Sequence, residues 1–360
     1  MSELPPESTG VVDASVVRTT TDPIQGYSPA GQLLNLITGY WITQAICTAA
    51  ELGLADQMSR RARPVAELAQ VSGTHEASLY RLLRALSSIG IFKESTPGCF
   101  ALTPMAVLLR DDTPGNLRAF ARMQADRWHW QCWGDLTTSV RSGARAISLT
   151  TGFDHCFDYL DAHPDSARIF HDAMNGYAAQ VHAAVVDSYD FSRARRIVDI
   201  GGGSGALLAE ILRTAPSATG VLLDRADALV QAREHLRHDG LADRCELVAG
   251  DFFIAVPQRA DLYLLSNVLH DWDDDQAVAI LRRVAEALDP AARLLIIENI
   301  LPDGDQAHPG KFVDLEMMLI ARGRERHAAE FAVLLAKAGL VAGRQIETAV
   351  PASLLEVRLR

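Results

Sequence analysis

Apolar residues follow two different rhythms along the chain. In the first half they recur every three to four positions. From Ala30 to Met58, Leu33, Leu34, Ile37, Tyr40, Trp41, Ala45, Ile46 and Ala49 keep helical spacing in a broad stripe. A helix this apolar is covered on more than one side, by its own core or by a second subunit. A shorter helix starts at Pro64-Val65-Ala66-Glu67-Leu68-Ala69, with proline in its first turn. A Ser72-Gly73-Thr74 turn leads to a further helix from Glu76 to Leu86. Gly90-Ile91-Phe92 and Cys99-Phe100-Ala101-Leu102 flank a Pro97-Gly98 turn and read as a hairpin. Helix, turn, helix and hairpin make a winged helix. Residues 116–189 are again helical and rich in large side chains: Trp128, His129, Trp130, Trp133, Phe153, Phe157, Tyr159, Phe170, Met174 and Tyr177. Such residues serve as helical core, or as walls for a flat organic ligand.

In the second half, short continuous apolar runs alternate with helical stretches. Arg196 to Ile200 is a strand with β-branched Ile197, Val198 and Ile200, followed by Gly201-Gly202-Gly203-Ser204-Gly205 and a helix from Ala206. Further strands are predicted at Gly220–Leu223, Cys245–Val248, Asp261–Leu265 and Arg293–Ile297, with helices at Asp227–His235 and Asp275–Leu288 between them. Repeated strand–helix units imply a parallel, doubly wound α/β sheet of Rossmann-like type. The tail breaks the rhythm. Gly343–Thr348 and Leu354–Leu359, joined through Pro351, read as a hairpin that adds an antiparallel edge. The expected division is a disordered leader over residues 1–25, a winged-helix unit over 26–115, a helical pocket segment over 116–190 and a nucleotide-type binding domain over 191–360.

Composition narrows the function. The chain has 360 residues and a net charge of −11, which weighs against nucleic acid as a partner. Only Arg81 and Arg84 are basic on the second helix of the winged helix, so a scaffold or dimerisation role is favoured over DNA binding. Five scattered cysteines without CxxC spacing suggest neither a zinc site nor a disulfide framework, and fit a reducing, cytoplasmic compartment. The first residues carry acids and prolines and no apolar core, unlike a signal peptide. Apolar runs are broken by charge before membrane-spanning length, so no membrane partner is expected.

Polar residues at strand ends carry the candidate chemistry, because open α/β sheets bind ligands there. Asp199 precedes the glycine turn, where Gly201 and Gly203 let a ligand approach closely. Asp224 ends the second strand, 23 residues beyond Gly201, placed to accept ribose hydroxyls. Asp251 and Phe252 follow the third: a carboxylate for an exocyclic amine and a ring to pack an adenine. Ser266 and Asn267 end the fourth and lead to Leu269-His270-Asp271-Trp272. The spacing Gly201-x-Gly203-x-x-Ala206 also satisfies a loose dinucleotide pattern, which keeps an NAD-dependent oxidoreductase as a competitor. The complete series of strand-end residues favours another cofactor.

That series resembles the S-adenosylmethionine-dependent O-methyltransferases of the plant caffeate and bacterial antibiotic-tailoring type. The matching pieces are Val198 to Gly205, Asp224, Gly250-Asp251-Phe252-Phe253, Leu269-His270-Asp271-Trp272 and Gly323-Arg324-Glu325-Arg326. The resemblance covers most of the chain and implies a homodimer through the N-terminal helices. It implies S-adenosylmethionine as cofactor, S-adenosylhomocysteine as product, no metal, and a small aromatic acceptor. Asp199, Gly201, Gly203, Asp224, Asp251, Phe252 and Ser266 match the cofactor site. His270 is the expected general base, with Glu298 and Glu325 matching the two acids beside it. Phe170, Met174 and Met317 match the acceptor pocket, beside Trp128 and Trp130. Two positions depart from the family: Ser266 replaces a lysine of plant members, and His327 replaces the usual threonine after Glu325-Arg326. N- or carboxylate methylation, or a non-methylating use of the same cofactor, is the alternative on this scaffold; a winged-helix regulator is a more remote one.

Overall fold

The computed structural model describes residues 28–59 and 61–360. The expected leader lies outside the described residues. The chain divides into two units, residues 1–44 and 45–360. In the first, α1 (Pro29–Ile37) is capped by the Ser28 hydroxyl and ends at Thr38. The Thr38 hydroxyl bonds back to the Leu34 and Asn35 carbonyls. The single helix expected from Ala30 to Met58 is therefore broken twice. It is interrupted after α1, and again between α2 (Gly39–Glu51) and α3 (Leu54–Gln57), where Gly53 takes a φ of +60°. No residue of α1 is buried.

The second unit begins with the expected winged helix. β1 (Arg63–Pro64), α4 (Val65–Ser72), α5 (Glu76–Ser88), β2 (Phe92–Thr96) and β3 (Cys99–Leu102) form two helices and an antiparallel sheet in the order β1-β3-β2. Leu79, Leu83 and Leu86, one face of α5, pack with Leu54, Leu68, Phe92 and Phe100. Arg84 lies over the Tyr80 ring, 5.6 Å from its centroid. Helices follow: α6 (Pro104–Val107), α7 (Arg118–Ala125), α8 (Arg127–Gly134), α9 (Leu136–Ser142), α10 (Ala146–Thr151), α11 (Cys156–Ala162) and the long α12 (Pro164–Ser188).

The remaining strands are β4 (Arg196–Ile200), β5 (Thr219–Asp224), β6 (Cys245–Ala249), β7 (Leu262–Ser266), β8 (Arg293–Glu298), β9 (Ile300–Leu301), β10 (Arg326–His327), β11 (Leu340–Glu347) and β12 (Ser353–Leu359). Among them lie α13 (Ala206–Thr214), α14 (Ala228–His238), α15 (Asp274–Ala287), α16 (Gly310–Ile320) and α17 (Ala328–Lys337). The seven-stranded sheet runs β11-β12-β8-β7-β4-β5-β6. β4 to β8 are parallel, and β12 pairs antiparallel with β8, as the tail pattern implied. The strands read as unbroken apolar runs because both faces are covered. Val198 and Ile200 pack toward α15 and α17, and Ile197 packs toward α13. Chain order reverses between β4 and β7, so a crevice opens at their carboxyl ends. No described helix is long and apolar enough to cross a membrane.

Candidate functional site

A cavity of about 460 Å³ lies at that reversal point. Asp199, Gly201, Gly203, Ser266 and His270 line its sheet side. Phe170 and Met174 from α12, and Met317 from α16, line the opposite side together with Phe120, Phe157 and Tyr177. The Phe120 and Tyr177 rings stack with centroids 5.6 Å apart.

The glycine turn is shaped by its neighbours. Gly201 and Gly203 have φ of +71° and +57°, where a side chain is strained. A Cβ on Gly202 would stand 2.5 Å from Leu222 Cδ1 and closer still to the Asp199 carboxylate. Asp199 is fully buried beneath the turn, and neither of its carboxylate oxygens has a hydrogen-bond partner. Burial, then the charge of Asp224, raises its pKa to about 7. The Ser266 hydroxyl is also buried and unpartnered. A ligand bearing a cationic group and hydrogen-bond donors fits this set, since it would relieve the orphaned acceptors. Asp224 accepts the Gly203 N–H at 2.8 Å and the Arg225 N–H at 2.7 Å, which fixes the carboxylate at the end of β5. Asp251 accepts the Phe253 N–H at 2.8 Å. Phe252 would pack 3.5 Å from a Gly201 Cβ. Asp224, Asp251 and Phe252 thus continue from the turn along the strand ends, outside the cavity wall.

His270 sits on a single turn after β7 and is held from three directions. Its Nδ1 is 3.0 Å from Glu325 Oε1 and 3.9 Å from Glu298 Oε2, and its Nε2 is 3.6 Å from Asp271 Oδ1. Glu298 ends β8 fully buried, and its Oε1 accepts the Val268 and Leu269 N–H groups at 3.1 and 2.8 Å. Asn299 donates to Glu325 Oε1 at 3.1 Å. Buried Arg326 donates to the carbonyls of Leu269 at 2.8 Å and Trp272 at 2.7 Å, clamping the turn on both sides of His270. Gly323 is required because a Cβ there would collide with the His270 carbonyl. Burial alone would lower the histidine pKa, but Glu298, Asp271 and Glu325 outweigh it and raise it to about 10. Burial pushes the Glu298 carboxyl up, and the His270 charge opposes that rise. His270, Glu298 and Glu325 each offer one atom of metal-ligating type within 4.8 Å of the others. His327 does not join them: its Nδ1 lies 3.0 Å from the Leu301 carbonyl, at the start of α17.

Two residues expected beside the acceptor pocket are elsewhere. Trp128 is 3% exposed in a core cluster with Cys132, Ile147 and Leu160, outside the cavity wall. Trp130, named beside it, is 39% exposed and also off the wall. The tryptophan on the wall is Trp133. With it comes Glu316, which the sequence reading passed over. The only sequence signal was helical spacing: His129 and Trp133 are four residues apart on α8, and Val313, Glu316, Met317 and Ile320 share a face of α16.

The O-methyltransferase domain model matches residues 133–341, and the O-methyltransferase dimerisation domain model matches residues 34–112. The chain is 42% identical over 326 residues to a phenazine O-methyltransferase of Lysobacter antibioticus, covering 91% of this chain and 95% of that protein. It superposes on the crystal structure of LaPhzM with a TM-score of 0.87 and 41% identity, covering 93% of this chain and all of that one. A more distant neighbour is the O-methyltransferase NcsB1 from neocarzinostatin biosynthesis, solved with S-adenosylmethionine and 2-hydroxy-5-methyl naphthoic acid. That comparison has a TM-score of 0.73 and 33% identity, covering 89% of this chain and 96% of that one.

Proposed function

The chain belongs to the S-adenosylmethionine-dependent O-methyltransferase family, and on that premise we propose that it methylates a phenolic hydroxyl of a small aromatic or polyketide-like secondary metabolite, with His270 as the general base. The observation that carries this reading is the engagement of His270 Nδ1 by buried Glu325 at 3.0 Å, on a histidine that lines the cavity. The imidazole is oriented from behind, which leaves Nε2 for the acceptor hydroxyl.

The cofactor supplies, when bound, a methyl carbon on a positively charged sulfonium. Asp199, the Gly201 to Gly203 turn and Ser266 are assigned to hold its amino-acid end, and Asp224, Asp251 and Phe252 its nucleoside end. Phe170, Met174 and Met317 hold the flat acceptor and exclude water, and such positioning supplies much of the rate in a displacement. A phenol has a pKa of about 10, so a base is needed near neutral pH. His270 takes the hydroxyl proton at Nε2, and Glu325 and Glu298 stabilise the resulting imidazolium. Glu298, Asp271 and Glu325 hold the imidazole above the ordinary histidine value, so only its neutral fraction takes the phenol proton. The same rise makes the free enzyme's activity increase with pH. Glu298 and Glu325 act here as acceptors of N–H bonds and not as metal ligands. Pairing of two copies is assigned to residues 28–44, where Leu33, Leu34, Leu36, Ile37, Tyr40 and Trp41 are each more than half exposed.

The test uses 2-naphthol and 2-naphthylamine with labelled cofactor and identifies the methylated atom in the product. Transfer to oxygen alone is expected. Preferred transfer to nitrogen would replace this reading with N-methylation.

A further inference from the structure

The cavity wall is mostly apolar, and one of its polar groups has no part in methyl transfer. Glu316 projects from α16 into the wall between the two ends of a clamp. Its Oε1 lies 2.5 Å from His129 Nε2, and its Oε2 accepts the Trp133 indole N–H at 2.5 Å. His129 and Trp133 are four residues apart on α8, so one helix face presents both rings to one carboxylate. The Glu316 side chain stays 17% exposed to the cavity. A carboxylate has about four acceptor sites, and the clamp uses two.

No lysine or arginine lines the cavity among the described residues. His270 is answered by Glu298, Asp271 and Glu325, and burial holds His182 neutral near pH 7. The buried Cys156 thiol on the same wall is pushed up, first by burial and then by Asp271 and Glu316.

We infer that Glu316 determines acceptor specificity: it selects a flat, carboxylate-free ring system that presents an N–H or O–H donor to it, away from the hydroxyl that is methylated. This rests on the function proposed above. The neighbour NcsB1 was solved with a naphthoic acid, which carries a carboxylate. In this chain a second carboxylate would enter a cavity holding Glu316 without a neighbouring lysine or arginine. Were the two carboxylates about 7 Å apart, an effective dielectric of about 20 would disfavour binding roughly fiftyfold. An acceptor without a donor leaves two lone pairs of a partly buried carboxylate unanswered, which a site built for a donor disfavours.

The experiment uses four probes with a common 2-hydroxyl: 2,7-dihydroxynaphthalene, 7-amino-2-naphthol, 7-methoxy-2-naphthol and 7-hydroxy-2-naphthoate. Dissociation constants are measured by calorimetry on enzyme saturated with S-adenosylhomocysteine, and kcat/KM with labelled cofactor. The hydroxyl and amino probes are expected to exceed the methoxy probe about tenfold and the naphthoate about fiftyfold. Glu316→Leu should bring the hydroxyl and methoxy probes within about threefold, and Glu316→Gln should recover most of the loss for the naphthoate. Wild-type binding of the naphthoate as tight as the amine, an unchanged order in both variants, or no binding of any probe overturns the inference. If the binding order holds without methylation, the hydroxyl-methylation reading fails and the role of Glu316 stands. Equal methylation of all four probes does the reverse.

Discussion

Replacing Asp199 with asparagine should make the ligand-free protein relatively more stable as pH rises, while weakening its grip on the cofactor. Asp199 is fully buried with both oxygens unpartnered, and its pKa rises from 3.8 to about 7. The folded state therefore holds this proton more tightly than the unfolded chain. Stability falls as pH climbs through the interval from 3.8 to about 7, and the full penalty applies above it. Burial on this scale corresponds to roughly 4 kcal/mol at pH 8, of which about 2 to 3 kcal/mol develops between pH 5 and pH 8. Asparagine does not titrate. Its amide carries its own cost, about 1–3 kcal/mol for an unmet donor, but that cost is the same at both pH values and cancels. The assay is thermal unfolding of both proteins without ligand at pH 5 and pH 8. The melting temperature of Asp199→Asn minus that of the wild type should rise by about 5–10 °C between the two, given about 2–4 °C per kcal/mol in a chain of this size. Calorimetry with S-adenosylhomocysteine should show weaker binding by the variant at both. A melting difference that does not change with pH would refute the reasoning, because it would mean Asp199 does not sit as an unrelieved buried acid.

Three further outcomes follow from the site. Glu325→Gln removes an anion 3.0 Å from His270, so the acid limb of kcat/KM against pH should move about one unit lower, and the maximal rate should fall; an unmoved limb would show that Glu325 does not set the histidine's charge. Gly202→Ala drives a Cβ into the Asp199 carboxylate and Leu222, and should cost about 1–3 kcal/mol in stability and abolish measurable cofactor binding; a variant that binds normally would show the turn to be loose. Turnover should be unaffected by EDTA with the cofactor saturating; a loss restored by a divalent cation would turn His270, Glu298 and Glu325 into a metal site.

The parts of the molecule legible in the sequence are those whose pattern is local. β4 was visible because a strand covered on both faces is a run of Ile197, Val198 and Ile200, and the turn because positive φ at Gly201 and Gly203 demands glycine. The tail hairpin announced itself through the change of rhythm after α17. What depends on packing between distant helices was not legible. Trp128, Trp130 and Trp133 share one helix, and only the docking of α8 against α16 decides which faces the cavity. The Glu316 clamp joins residues more than 180 positions apart, so no window of sequence contains it. The Arg326 clamp also joins residues more than 50 positions apart. Gly53 was inside a strongly periodic stretch, and its left-handed conformation ended a helix that periodicity alone would have continued.

The account stands most directly on His270. Single-turnover methyl transfer to 2,7-dihydroxynaphthalene should be measured for the wild type, His270→Ala and His270→Gln, with S-adenosylhomocysteine binding followed in parallel. The account predicts a loss of at least about a hundredfold in rate for both variants, as for removal of a general base, with cofactor binding within about threefold of the wild type. A rate within about tenfold of the wild type in both variants, with binding intact, would contradict the claim that His270 takes the proton.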